Sequence, residues 1–204
     1  MQEKYKADLK EIKEIMNRSS RFISLSGLSG ISVGIIALIG AYLAYNFVYL
    51  ELGELDYERV HLSNDTLTQL VLITTGTLVL SIIMAIVFTK GESKKKNQGI
   101  WDLQSKRLVI NLSIPLVTGG ILCLILLLKG FIVLLAPFTL IFHGLALVNA
   151  SQYTLKEIRS LGLLMIFLGL TALFYIDLGL LFWAIGFGGC HILYGVMMQL
   201  KNKS

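Results

Sequence analysis

The chain reads as an all-α, polytopic bundle of six transmembrane helices with both termini cytoplasmic, and three features of the sequence carry that reading. Its mean hydropathy is +0.73, with 55% hydrophobic and only 15% charged residues, where a soluble domain has about a quarter of its residues charged. The apolar residues gather in six continuous runs, each near the roughly 20 helical residues that a hydrocarbon core about 30 Å thick requires. Lysine and arginine fall almost wholly on one side of those runs. Continuous runs favour helices over a transmembrane barrel, whose strands alternate apolar and polar residues.

Residues 1–21 precede the first run. Tyr5, Leu9, Ile12 and Met16 recur there at helical spacing among Lys and Glu, which makes one apolar stripe on an otherwise wet helix. Glu14 and Arg18 form a favourable i,i+4 pair on its polar side. Such a segment suits the cytoplasmic membrane interface, with its basic residues against anionic lipid; docking of a cytoplasmic protein partner is the alternative. The run that opens at Phe22 is too long for the apolar region of a signal peptide, so the first span is expected to stay in the chain.

The first span covers residues 22–49. Ser26, Gly30, Gly34, Ala37 and Ala41 form a ridge of small residues containing a GxxxG, and small residues let helix backbones approach closely in lipid, where no hydrophobic force drives helices together. The neighbour is a helix of the same bundle or, in a homodimer, a second copy. Tyr42, Tyr45 and Tyr49 share one face near the outer boundary, as interfacial belt residues do. The external loop of residues 51–65 is acidic, but its carboxylates match no EF-hand or closed oxygen cage. A second span over 66–89 leads into the basic loop 90–107, where Trp101 suits the interface.

The third span, 108–128, carries Asn111, Pro115 and Cys123; the fourth, 131–150, carries Pro137, His143 and Asn149. A proline inside a helix removes a hydrogen bond and is expected to kink it. The fifth run, 161–176, is about 24 Å long and must recruit Ser160 and its neighbours or thin the bilayer. Asp177 reads as a headgroup-level turn residue before the sixth span, 178–200, which carries Gly188, Cys190, His191, Tyr194 and Gly195. Cys123 and Cys190 sit at depths that differ by roughly 10 Å, beyond the reach of a disulfide.

Topology follows from charge. Of the 18 lysines and arginines, all but Arg59 and Lys129 fall in the amino-terminal segment, the 90–107 loop, the 151–160 connection or the carboxy-terminal tail. Cytoplasmic loops collect these residues, so the positive charge is accounted for without a nucleic-acid partner.

The third and fourth spans and the fifth and sixth look like two copies of one hairpin, a known way to build small membrane bundles. Lys129 and Asp177 mark the two outer turns, and each is followed 14 residues later by a histidine, His143 and His191. Both second helices run inward, so the imidazoles should share a depth. Intramembrane polar residues usually face the bundle interior and mark function. Three readings stand: a neutral imidazole hydrogen-bonded across helices to Asn111, Asn149 or Tyr194; a lining for a substrate or proton path; and ligation of a metal or haem by the two histidines. Small neighbours beside them, Gly188 and Gly195 near His191 and Ala146 near His143, leave space for a flat cofactor or another helix.

The run from His143 to Ser151, followed by Leu161-Gly162, Gly179 to Gly188, His191 and Tyr194-Gly195, resembles a group of small bacterial six-helix membrane proteins of no known activity. The resemblance covers the carboxy-terminal half and, more loosely, residues 21–45. It implies a bacterial inner-membrane setting and carries no substrate or cofactor with it.

An enzyme is not expected, since the chain has no Ser-His-Asp arrangement, HExxH, phosphate loop or intramembrane carboxylate pair. The expected role is binding or transport of a small molecule in a polar cavity of the bundle. A bis-histidine haem or metal electron carrier is the sharper alternative, and a membrane sensor or scaffold for a cytoplasmic partner is the third.

Overall fold

A computed structural model of the chain describes residues 26–50, 62–95, 103–155 and 157–201, together with Tyr5. The amphipathic stripe of residues 1–21 apart from Tyr5, the acidic loop over 51–61 and the surroundings of Trp101 lie outside these residues. Every regular element among the described residues is helical, and six helices are long and apolar enough to cross a membrane.

Helix α1 spans Gly27–Ala44 and continues as a π-helical turn, Tyr45–Tyr49. It starts where Ser26 turns its hydroxyl back to accept the Leu28 N–H at 3.2 Å, satisfying a backbone donor that has no partner within the helix. The π turn widens the helix and rotates the residues beyond it. Tyr42 and Tyr45 are exposed, but Tyr49 packs against Val48, Leu70 and Ile132, so the three tyrosines do not share the single face expected of them.

Helix α2 spans Asn64–Lys95, longer than the expected 66–89, and is capped by the Ser63 hydroxyl, which accepts from the Thr66 N–H at 3.1 Å. Helix α3 spans Leu103–Leu128 and stops at Gly130, whose φ of 83° is the left-handed conformation that glycine adopts without strain. The Phe131 N–H then bonds the Leu126 carbonyl at 2.9 Å and the Gly130 N–H bonds that of Leu127 at 3.0 Å, a Schellman ending.

After a short 3-10 turn, Ile132–Leu134, helix α4 spans Leu135–Ala150. Pro137 therefore sits in the first turn of its helix, where an amide hydrogen would have no helical partner to lose. The kink expected at Pro137 is corrected on that ground. Helix α5 spans Glu157–Phe174, starting four residues before the expected 161 and stopping short of 176. A second 3-10 turn, Ile176–Leu178, opens the sixth span, built of α6 (Gly179–Trp183), a π-helical stretch Ala184–Cys190, and α7 (His191–Lys201).

Packing runs in a chain of neighbours: α3 on α4, α4 on α5 and α6, the π stretch and α7 on α1, and α1 on α2. Glycines set two close approaches. A Cβ on Gly144 would lie 2.6 Å from the Gly162 carbonyl oxygen, and one on Gly162 would lie 2.7 Å from that of Gly144, so α4 and α5 meet backbone to backbone. Between α1 and α7, a Cβ on Gly195 would lie 2.5 Å from the Gly27 oxygen, and one on Gly30 would lie 3.1 Å from the Gly195 Cα. The small-residue ridge of α1 thus lies against the sixth span of the same chain.

Helices α2 and α3 are peripheral. Only 6% of their most apolar windows is buried, against 39% for α1, α4 and α5, and their outward residues include Leu72, Leu78, Ile82, Ile110, Ile114 and Leu128. Apolar surface on that scale is unstable in water and at home in lipid.

Candidate functional site

The polar residues singled out from the sequence fall into two constellations within the bundle, one around the histidines and one around the asparagines. His143 on α4 and His191 at the start of α7 stand with ring centroids 5.3 Å apart. Phe187 touches both rings, at 4.8 Å from His143 and stacked on His191 at 5.9 Å, and Trp183 lies 4.8 Å beyond Phe187. The result is an aromatic column descending the sixth span to the imidazole pair.

The π stretch builds this column. Three of its seven residues, Gly186, Gly188 and Gly189, are glycines, which tolerate a widened turn, and single π turns of this kind recur at functional sites. The wide turn leaves the Gly186 carbonyl facing the His191 ring, and His191 Nδ1 meets it at 3.1 Å. A carbonyl only accepts, so Nδ1 must carry the hydrogen. That fixes the neutral tautomer and leaves Nε2 of His191 as a lone-pair acceptor.

His143 is half-buried as a residue, yet its Nε2 is enclosed and has no hydrogen-bond partner, and the same is true of the Tyr194 hydroxyl. Tyr194 lies one turn past His191 and packs, like Phe187, on the cluster of Leu140, Leu161, Met165 and Cys190. The hydrogen bond across helices expected of each histidine is therefore replaced: His191 bonds its own helix, and His143 Nε2 bonds nothing. An enclosed polar atom left unpaired costs about 1–3 kcal/mol.

Asn111 and Asn149 do not join the histidines. Asn149 sits six residues past His143 on α4, about 9 Å along the axis, and its side-chain amide donates to the Asn111 carbonyl at 2.8 Å. That carbonyl needs an outside donor because its helical partner position, four residues on, is Pro115, which has no N–H to give. The Asn111 amide in turn donates to the Arg107 carbonyl at 2.8 Å. This pair repairs a proline break, with one donor of each amide given to backbone.

The matched depth of the imidazoles does not come from equivalent places in a repeat. Measured from the first residue of each 3-10 turn, Ile132 and Ile176, His143 is 11 residues on and His191 is 15. The two hairpins share the design of their turns, but the sixth span places its histidine one turn further along and turns mainly toward α1.

The haem alternative meets a steric objection. The rings are in contact with each other and with Phe187, so no slot of macrocycle width lies between them. Cys123 and Cys190 are both free thiols, and among the described residues no three His, Cys, Asp or Glu side chains converge on one point. A groove of about 420 Å³ runs between α1 and α2, lined by Ile36, Ile39, Leu43, Leu72, Ile73 and Thr77 among others; it is apolar and the histidines do not border it.

Sequence reasoning missed Phe187, Trp183 and Gly186. Phe187 had a signal, since it lies four residues before His191 and so on the same helical face; the Gly186 carbonyl had none, because only the π turn aims it at the ring. No family model, curated protein or solved structure matches this chain.

Proposed function

We propose that this is a non-enzymatic, multi-pass protein of a bacterial inner membrane, with both termini cytoplasmic, that holds a small polar ligand at the centre formed by His143, His191 and Tyr194. The observation that carries the reading is the pair of enclosed, unpartnered polar atoms, His143 Nε2 and the Tyr194 hydroxyl, beside an imidazole whose tautomer is fixed by a backbone carbonyl. Polar groups inside a membrane are expensive and persist where they are used. Two orphan atoms, one on the fourth span and one on the sixth, mark where a ligand would supply missing bonds. The one-sided distribution of lysine and arginine supports the orientation and a preference for anionic lipid at the cytoplasmic face.

Native mass spectrometry of protein extracted from its own membrane tests this. The expected result is a bound species that leaves on denaturation and is lost in both His143→Leu and His191→Leu. A bare wild-type chain would show the histidines to be packing alone.

A further inference from the structure

Resting on that reading, we propose that the π-helical stretch Ala184–Cys190 is a hinge, and that a ligand reaches the histidine centre when α1, α2 and α7 swing away from α3, α4, α5 and α6 at the end that carries Lys201 and Glu157. The packing divides the bundle in this way. Helix α6 lies on α4 and α5, whereas α7 lies chiefly on α1, so the two halves of one span belong to different groups. The change of partner falls inside the π stretch. A Cβ on Gly186 would meet side chains of Leu140 on α4 and of Met165 and Leu168 on α5, while one on Gly188, two residues further, would meet Leu38 on α1. Each group is stiff. Gly195 meets backbone of Gly27 and Ile31, and Gly144 and Gly162 meet each other's carbonyl oxygens, so the helices of each pair move together. The joint is soft by comparison, because Gly186 and Gly188 face side-chain atoms and a Cβ on Gly189 would meet nothing within 4 Å. Glycine accepts the φ and ψ changes that a hinge concentrates in a few residues.

The candidate centre straddles this joint. His143 belongs to α4 in one group, and His191 and Tyr194 belong to α7 in the other. His143 Nε2 and the Tyr194 hydroxyl are both enclosed, so nothing from outside touches either atom until the groups part. The two ends of the bundle are held differently. At one end Val48, just beyond α1, and Leu70 of α2 pack with Ile132, just before α4, in a cluster where none of the three is more than 5% exposed. At the other end the ion pair of Lys201 with Glu157 crosses the joint, with side chains 69% and 36% exposed. Water screens such a pair and leaves it worth little, whereas separating the buried cluster forfeits close packing. The ion-paired end is therefore where the groups part, and the apolar end is the pivot.

The test is pulsed electron–electron double resonance on full-length, ligand-free protein in lipid bilayers, with Cys123→Ser and Cys190→Ala removing the native thiols. One pair of spin labels is placed at the exposed positions Met197 on α7 and Ser160 on α5, and a second pair at the exposed positions Leu50 and Leu128 at the opposite end. The expected result is a short and a long distance for Met197 and Ser160, and a single distance for Leu50 and Leu128. Gly189→Ala, which adds a methyl where there is room, should lower the long-distance population about two- to fivefold. Lys201→Ala should raise it by up to about fivefold. The Leu50–Leu128 distance reports whether each variant keeps the fold. A single distance for Met197 and Ser160, a long distance at Leu50 and Leu128, or populations that both variants leave unchanged overturns the hinge. If the distances behave as expected while native mass spectrometry finds nothing bound, the hinge stands and the small-ligand reading falls. If a histidine-dependent ligand is found and the distances are single, that reading stands and the hinge falls.

Discussion

Replacing one glycine by alanine should have opposite effects at two places in this bundle, and the sign is set by what the new methyl meets. At Gly195 the Cβ would lie 2.5 Å from the Gly27 oxygen and 2.6 Å from the Ile31 nitrogen, both backbone atoms of α1 that cannot swing aside. Helix α7 must move away from α1, which costs about 2–3 kcal/mol as overpacking, offset by the ~1 kcal/mol that alanine gains over glycine within a helix. The net is a loss of about 1–2 kcal/mol. At Gly76 on α2 and Gly120 on α3, a Cβ meets nothing within 4 Å, so only the propensity gain remains and stability should rise by about 0.5–1 kcal/mol. Equilibrium unfolding in mixed detergent micelles, followed by loss of helical signal across an SDS titration, measures all three. If Gly195→Ala proves as benign as Gly76→Ala, the α1 ridge does not pack on the sixth span and that arrangement of helices is wrong.

Asn149→Leu strips the donor from the Asn111 carbonyl and should cost about 1–3 kcal/mol; in a Pro115→Ala background, where the helix can supply its own N–H, the same substitution should cost much less, and equal costs in both backgrounds would refute the repair role. His143→Leu in ligand-free protein should leave stability unchanged or raise it by about 1–2 kcal/mol, because it removes the enclosed unpaired nitrogen; a large loss would mean that Nε2 has a partner after all. Compartment reporters fused to the two ends should both read cytoplasmic, as the lysine and arginine distribution requires, and opposite readings would undo the assignment of sides. Lys201→Ala, which removes the ion pair with Glu157 at the end of α5, should change stability by less than about 1 kcal/mol, since Lys201 is exposed.

The spans were legible because hydrocarbon thickness and the missing amide partners of lipid leave the sequence few options. The ranges 66–89 and 161–176 are too narrow at their starts because hydropathy marks the apolar stretch and not the capping residue, and helices run on past the lipid to polar ends such as Ser63 and Glu157. The small ridge from Ser26 to Ala41 was visible as a packing face, but its partner was not, since GxxxG states that something comes close without stating what. The asparagine pair was readable in part: Pro115 minus four is Asn111, so an orphan carbonyl there was arithmetic, while the identity of its donor needed the fold. Counting from Lys129 and Asp177 puts the histidines at one depth, yet these residues are not equivalent in the two turns, and the contact is made by an offset of one helical turn that the count does not contain. The π stretch left the faintest trace, three glycines within seven residues, and it is the element that aims both Phe187 and the Gly186 carbonyl.

Solid-state NMR on histidine-labelled protein in lipid bilayers tests the histidine pair most directly, because the chain has only three histidines, His61, His143 and His191. The expected spectrum has a through-space contact between the His143 and His191 rings and a neutral His191 protonated at Nδ1. An absent contact, or a His191 carrying its proton at Nε2, would contradict it.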